Sequence, residues 1–142
     1  MPKEQNIEAA RNVFRFLEQR KLKEFSELFA ENGKWVLPYH SGLFPAEIVG
    51  QKEIYKSIQT AAADFDKIQF PIDDILPFED PNKVAVKVTG KLRLKNGSGT
   101  YQNDYFAIFI FNEQGKILEW IDYYNPINAA KAFGLMDKLK EE

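Results

Sequence analysis

Apolar residues recur along this chain at two different periods, and the change of period divides it. From Asn6 to Gln19, Ile7, Ala10, Val13, Phe14 and Leu17 fall at three- and four-residue steps, which predicts a helix. Asn6 is a candidate cap, without a capping box because Ala9 stands where Glu or Gln would be needed. Arg20-Lys21 breaks the pattern. Leu22 to Phe29 reads as a second, shorter helix with Leu22, Phe25, Leu28 and Phe29 on one face, ended by Asn32-Gly33. Lys34 to Tyr39 predicts a short strand with Trp35, Leu37 and Tyr39 on one side. Pro38 to Val49 is a loop holding His40, Ser41, Gly42 and Pro45. Gly50 to Phe65 predicts a third helix, with Ile54, Ile58, Ala61, Ala62 and Phe65 as its stripe and Tyr55 beside it.

Beyond that point the period is two. Lys67 to Phe78 reads as a strand interrupted by Pro71 and Asp73-Asp74, which suits an edge or a bulge. Asp80-Pro81-Asn82 is a turn. Lys83 to Lys95 alternates cleanly, with Val84, Val86, Val88, Leu92 and Leu94 opposite Lys87, Thr89, Lys91 and Arg93. Gly90 falls on the apolar side, where a strand bends or a ligand approaches. Asn96 to Thr100 is a Gly-rich hairpin loop. Two long strands follow, Tyr101 to Phe111 and Lys116 to Tyr124, joined by the turn Asn112 to Gly115. Asn125 can cap a helix and Pro126 suits its first turn, so a last helix should run from Pro126 to about Lys140. Helices gathered before sequential hairpin-linked strands predict an α+β fold in a single domain, 1–142.

Composition sharpens this picture at five points. With 12 Phe, 6 Tyr and 2 Trp, the chain has more aromatic volume than a minimal core needs, which fits an aromatic-lined cavity or a Phe-rich core. A net charge of −2 with mixed signs gives no footprint for nucleic acid. With no cysteine, disulfides and thiol chemistry are excluded. The single histidine and the absence of a His-x-x-x-His pattern give no zinc site, and no phosphate loop or dinucleotide fingerprint occurs, so no cofactor is expected. Met1 to Arg11 is polar, and no apolar run approaches the roughly 20 residues of a membrane span, so the expectation is a soluble cytoplasmic protein without membrane partners.

Four stretches together carry a family resemblance: Leu28-Phe29-Ala30-Glu31; Trp35-Val36-Leu37-Pro38; Gly50-Gln51-Lys52-Glu53-Ile54; and Gly115-Lys116-Ile117 followed by Tyr124-Asn125-Pro126 and Ala132-Phe133-Gly134-Leu135. In series they resemble the nuclear-transport-factor-2-like superfamily, and within it the SnoaL-like polyketide cyclases and phenazine-biosynthesis A/B proteins. The resemblance implies a curved antiparallel sheet wrapped by three N-terminal helices into a cone, a deep pocket at its open end, and a homodimer through the outer sheet face. The strand parity it implies turns Tyr101, Asn103, Tyr105, Ala107, Phe109, Leu118, Trp120, Asp122 and Tyr124 to the pocket. Phe106, Ile108, Ile110, Ile117, Ile121 and Tyr123 then face a partner subunit.

On that reading Asp122, desolvated between Trp120 and Tyr124, is the leading catalytic candidate, because SnoaL-like cyclases use a pocket carboxylate for proton transfer. Pairing of Asp122 with a basic residue is the structural alternative. His40 is the second candidate, on a loop that borders the pocket mouth in this fold, with an exposed loop histidine as its alternative. Trp35, Tyr39, Tyr55, Asn103, Tyr105, Trp120 and Tyr124 are the substrate-binding candidates, and several of them suit core packing equally. The carboxylates of ketosteroid isomerases would fall near Leu37-Pro38 and Ala107, where this chain has none, so that reaction is not implied. The function implied is a small-molecule-binding protein, acting as a cofactor-free isomerase, cyclase or dehydratase on a largely apolar carbonyl-bearing metabolite, or else a non-catalytic binding or accessory module.

Overall fold

The first half of the chain keeps its three predicted helices, the first starting earlier and the second and third ending sooner than periodicity predicts. The computed structural model describes residues 2–139. Helix α1 (Pro2–Glu18) and the one-turn α2 (Leu22–Ser26) lead into strand β1 (Phe29–Val36). A loop and the short β2 (Glu47–Val49) precede α3 (Gln51–Ala62). Strands β3 (Phe65–Gln69), β4 (Ile72–Pro77), β5 (Lys83–Leu94), β6 (Thr100–Phe111) and β7 (Ile117–Tyr124) follow, then α4 (Pro126–Phe133) and a 3-10 turn at Met136–Lys138. All strands join one sheet in the order β2-β1-β7-β6-β5-β3, with β4 taking the rest of the β5 edge. Every pairing is antiparallel except β1 with β7, which is parallel. The α+β class and the curved sheet wrapped by helices are as expected.

Helix α1 lays Ala10, Val13, Phe14 and Leu17 on the inner face of the sheet, and α3 adds Ile54 and Ile58. They meet Val84, Val86 and Val88 of β5, Ala107, Phe109 and Phe111 of β6, and Ile117 and Trp120 of β7. A second cluster gathers Phe65, Leu92, Leu94, Tyr101, Tyr124 and Ala129 toward the other end. Arg20, at positive φ, donates to the carbonyls of Ala62 and Phe65 and so ties off the C-terminus of α3.

Several boundaries differ from the sequence reading, each for a local reason. Asn6 is not a cap: the helix starts upstream, and Asn6 is buried inside it, donating from Nδ2 to the Pro81 carbonyl at 2.9 Å. The second helix stops at Ser26, and the stretch predicted as its end is the first half of β1. Gly33 is therefore a strand residue. A Cβ there would stand 2.8 Å from the Ile117 carbonyl oxygen, so the residue permits the close approach of β1 to β7. Phe65 opens β3 rather than closing α3. The predicted strand Lys67 to Phe78 is two strands, split at Pro71. Ile117 belongs to the inner core, not to the outer face. The register shifts between Ile110 and Phe111, where β7 carries an extra residue, so the alternation inverts there and leaves Leu118 half-buried and outside both clusters. The predicted cap at Asn125 is present, its side chain accepting from Ile127 and Asn128. Gly134, at φ 68°, stops α4 well short of Lys140, which lies outside the described residues.

Candidate functional site

Between the inner face of the sheet and the helices lies a cavity of about 1450 Å³. Its walls are mostly aromatic and aliphatic: Phe14 and Leu17 from α1, Trp35 from β1, Phe65, Ile68 and Phe70 near β3, and Trp120 from β7. Phe44 and Pro45 of the β1–β2 loop close one side. Gly90 makes room for this wall. A Cβ on it would meet the Tyr105 ring at 2.7 Å and the Phe70 ring at 3.0 Å, so these two rings lie directly over the β5 backbone.

Asp122 is the one carboxylate set deep in this wall, and it is 4% exposed. Opposite it in the sheet is Ala107, which is fully buried in the inner core. Trp35 and Trp120 are register partners, and their rings stack at 4.6 Å and 5°. That stack aims the Trp35 indole so that its Nε1–H donates to Asp122 Oδ2 at 3.1 Å. Oδ1 of Asp122 and Nε1 of Trp120 are buried without a hydrogen-bond partner among the described residues. Burial raises the Asp122 pKa to about 7, the Trp35 hydrogen bond opposing only part of the rise.

Three tyrosines frame the same end. Tyr105 donates from its hydroxyl to that of Tyr101 at 2.9 Å, and Asn103 Nδ2 donates to Tyr101 at 2.7 Å. Tyr124 donates to the Tyr39 carbonyl at 3.1 Å. Burial raises all three phenols above their ordinary range, and the nearby carboxylate adds to this. They therefore stay protonated at neutral pH, Tyr105 and Tyr124 as donors and Tyr101 accepting from Tyr105 and Asn103.

The candidate residues divide into two groups. Asp122, Trp35, Tyr105, Trp120 and Tyr124 line the cavity together. His40, Tyr39, Tyr55 and Asn103 do not. Strand β1 ends at Val36, so the chain turns before Tyr39, whose exposed ring packs edge-on against Tyr123 at 5.5 Å on the outer side. His40 lies in the turn after it, its carbonyl accepting from Leu43 at 2.7 Å. Tyr55 faces α2, with the Lys23 ammonium 5.6 Å from its ring. Asn103 is buried behind the wall. Its amide donates to the Asn125 carbonyl and its Oδ1 accepts from the Asn125 N–H, which clamps the β7–α4 junction. Among the described residues no three His, Cys, Asp or Glu side chains converge to hold a metal ion. No helix among the described residues is long and apolar enough to cross a membrane.

A family profile described as a SnoaL-like domain matches residues 10–120. The uncharacterised protein YesE of Bacillus subtilis (strain 168) is 24% identical over 131 residues, covering 92% of this chain and 88% of YesE. Among solved structures, a phenazine biosynthesis-related protein of Pseudomonas aeruginosa superposes with a TM-score of 0.81 at 21% identity, over 94% of this chain and 83% of that one. BvnE pinacolase of Penicillium brevicompactum superposes with a TM-score of 0.80 at 17% identity, over 96% and 97% of the two chains.

Proposed function

Because the chain belongs to the SnoaL-like family, on a nuclear-transport-factor-2-like fold, we propose that its cavity binds a small, largely apolar, carbonyl-bearing metabolite and that Asp122 moves a proton on it without a cofactor. The observation that carries this is the setting of Asp122. It is buried in an apolar wall, held by one indole N–H, and has a pKa near the pH at which it would work. As carboxylate it would take a proton from the carbon next to the carbonyl. As acid it would return that proton to another position, completing an isomerisation, or assist ring closure or loss of water. Tyr105 and Tyr124 would line the bound ligand as neutral groups, their hydroxyl protons already given to the Tyr101 hydroxyl and the Tyr39 carbonyl. Likeness in fold to proteins named for phenazine biosynthesis and pinacolase chemistry is in keeping with this.

A second reading is favoured by the same wall. Tyr101, Tyr105 and Asn103 are bonded to one another, and Trp35 is bonded to Asp122, so few polar groups remain for a ligand. The cavity would then hold a ligand without chemistry. The discriminating experiment follows hydrogen–deuterium exchange at carbon in a panel of cyclic enones and β-diketones, by NMR in D2O. Enzyme-catalysed exchange should rise with pH through about 7 and fall at least about a hundredfold in Asp122→Asn. Ligand-dependent shifts with no exchange above background in the wild type would leave the binding reading standing alone.

A further inference from the structure

The mouth of the cavity has a chemistry the inner end lacks. It is built from the C-terminal half of α3, the β5–β6 hairpin and the end of α4. These contribute Lys56, Ser57, Thr60, Asp64, Lys95, Asn96, Ser98 and Lys131 to the lining. Three of the mouth side chains are thus cationic and one is anionic, in a chain whose net charge is −2. Lys56 has Glu53 at 3.6 Å. Among the described residues Lys95 and Lys131 are in no ion pair. Between these lysines and Asp122 the wall is apolar apart from tyrosine hydroxyls that stay neutral.

Resting on the reading of this cavity as a small-molecule site, we propose that its ligand is an amphipathic monoanion, with its acidic group held between Lys95 and Lys131 at the mouth and its apolar body running inward to Asp122. The charges exclude the reverse orientation. An anionic group at the inner end would lie against the Asp122 carboxyl, with no cation among the described residues at that depth to compensate. A cationic ligand would have to enter past the lysines. At the mouth, an apolar cavity beside the ammonium groups confines their field and makes it act on an entering anion more strongly than the same lysines on a flat surface. The volume of about 1450 Å³ exceeds that of ordinary ligand pockets, roughly 300–1,000 Å³, so an extended molecule fits with one end at the lysines and the other at the carboxyl.

The test compares three probes of one shape by calorimetry: 4-(2-naphthyl)butanoate, the corresponding alcohol, and the corresponding trimethylammonium ion. The butanoate should bind the wild-type protein about tenfold more tightly than the alcohol at low salt, and that preference should shrink as sodium chloride rises toward 0.5 M. In Lys95→Glu/Lys131→Glu, the butanoate should lose about tenfold while the alcohol binds as before. Both positions are exposed, and thermal melts check that the fold persists. Equal binding of acid and alcohol overturns the inference while leaving the cavity reading intact. So does tighter binding of the ammonium probe, or a charge-reversed variant that keeps its preference for the acid. Failure of all three probes to bind overturns both.

Discussion

From Phe106 to Phe111 the two faces of β6 are almost equally apolar, yet they do opposite things. Inward, Ala107, Phe109 and Phe111 are all but fully buried under the helices, and the neighbouring strand adds a buried carboxylate, Asp122. Outward, Ile108 and Ile110 are half-buried and Phe106 is 37% exposed, with Tyr123 beside them on β7 against the edge of the Tyr39 ring and the exposed Leu76 on β4, across β5. Lys83, Lys87 and Lys91 of β5 border that strip. The informative residues are the ones out of place by polarity: a carboxyl inside and rings outside. Inside, the chain covers its own apolar surface and leaves room for a ligand. Outside, the strip suits a second copy of the chain, and we propose a homodimer through this face.

The largest effect expected of breaking that contrast is in the core. Phe109→Ala removes a fully buried ring packed against Phe14 and Trp120 and should destabilise the fold by about 3–5 kcal/mol in urea melts. Ile110→Ala, one residue along on the other face, should lose much less in the monomer. Equal losses would abolish the distinction between the faces. The carboxyl comes next. The folded protein keeps the Asp122 proton to about pH 7, whereas an unperturbed carboxyl releases it at 3.8. Between those values the folded state binds the more protons, so stability should fall as pH rises from about 4 to about 7 and level off above. The span amounts to on the order of 4 kcal/mol. Asp122→Asn should remove this pH dependence and be the more stable protein at pH 8; a slope that persists in the variant would place its origin elsewhere. Smallest in folding energy is Phe106→Lys. It should leave the monomer within about 0.5 kcal/mol of wild type but shift sedimentation from dimer to monomer. A wild type that sediments as a monomer would remove the proposed partner from the outer face.

Strands β5, β6 and β7 were legible because each is long, alternating and joined to the next by a short turn, so local pattern and pairing agree. Asn125-Pro126 was legible because a cap needs only its own neighbours. The stretch from Phe29 to Gly33 was not. Its opening Phe29 continues a helical spacing begun by Phe25 and Leu28, and pairing with β7, nearly ninety positions later, makes it a strand. The position of Ile117 was hidden by a bulge that no alternation rule reveals. Asp122 and Trp120 were placed in the wall by the strand parity that the family resemblance implies. The indole of Trp35 on Asp122, the lysines at the mouth and the turning away of Tyr39 depend on contacts between distant segments.

That parallel pairing also has a consequence in time. Strands β5 to β7 meander through near neighbours and can assemble as soon as they exist. Strand β1 has to wait for β7, and the bond from Trp35 to Asp122 spans 87 positions. Closing so long a loop is among the slower, entropically opposed steps of folding. The Trp35–Trp120 stack should therefore form late, and indole fluorescence should report the completion of the cavity rather than the collapse of the core. On a ribosome, the carboxyl and the indole that holds it could meet only after β7 had cleared the exit tunnel, so the site is completed later than the helices and hairpins that come before it.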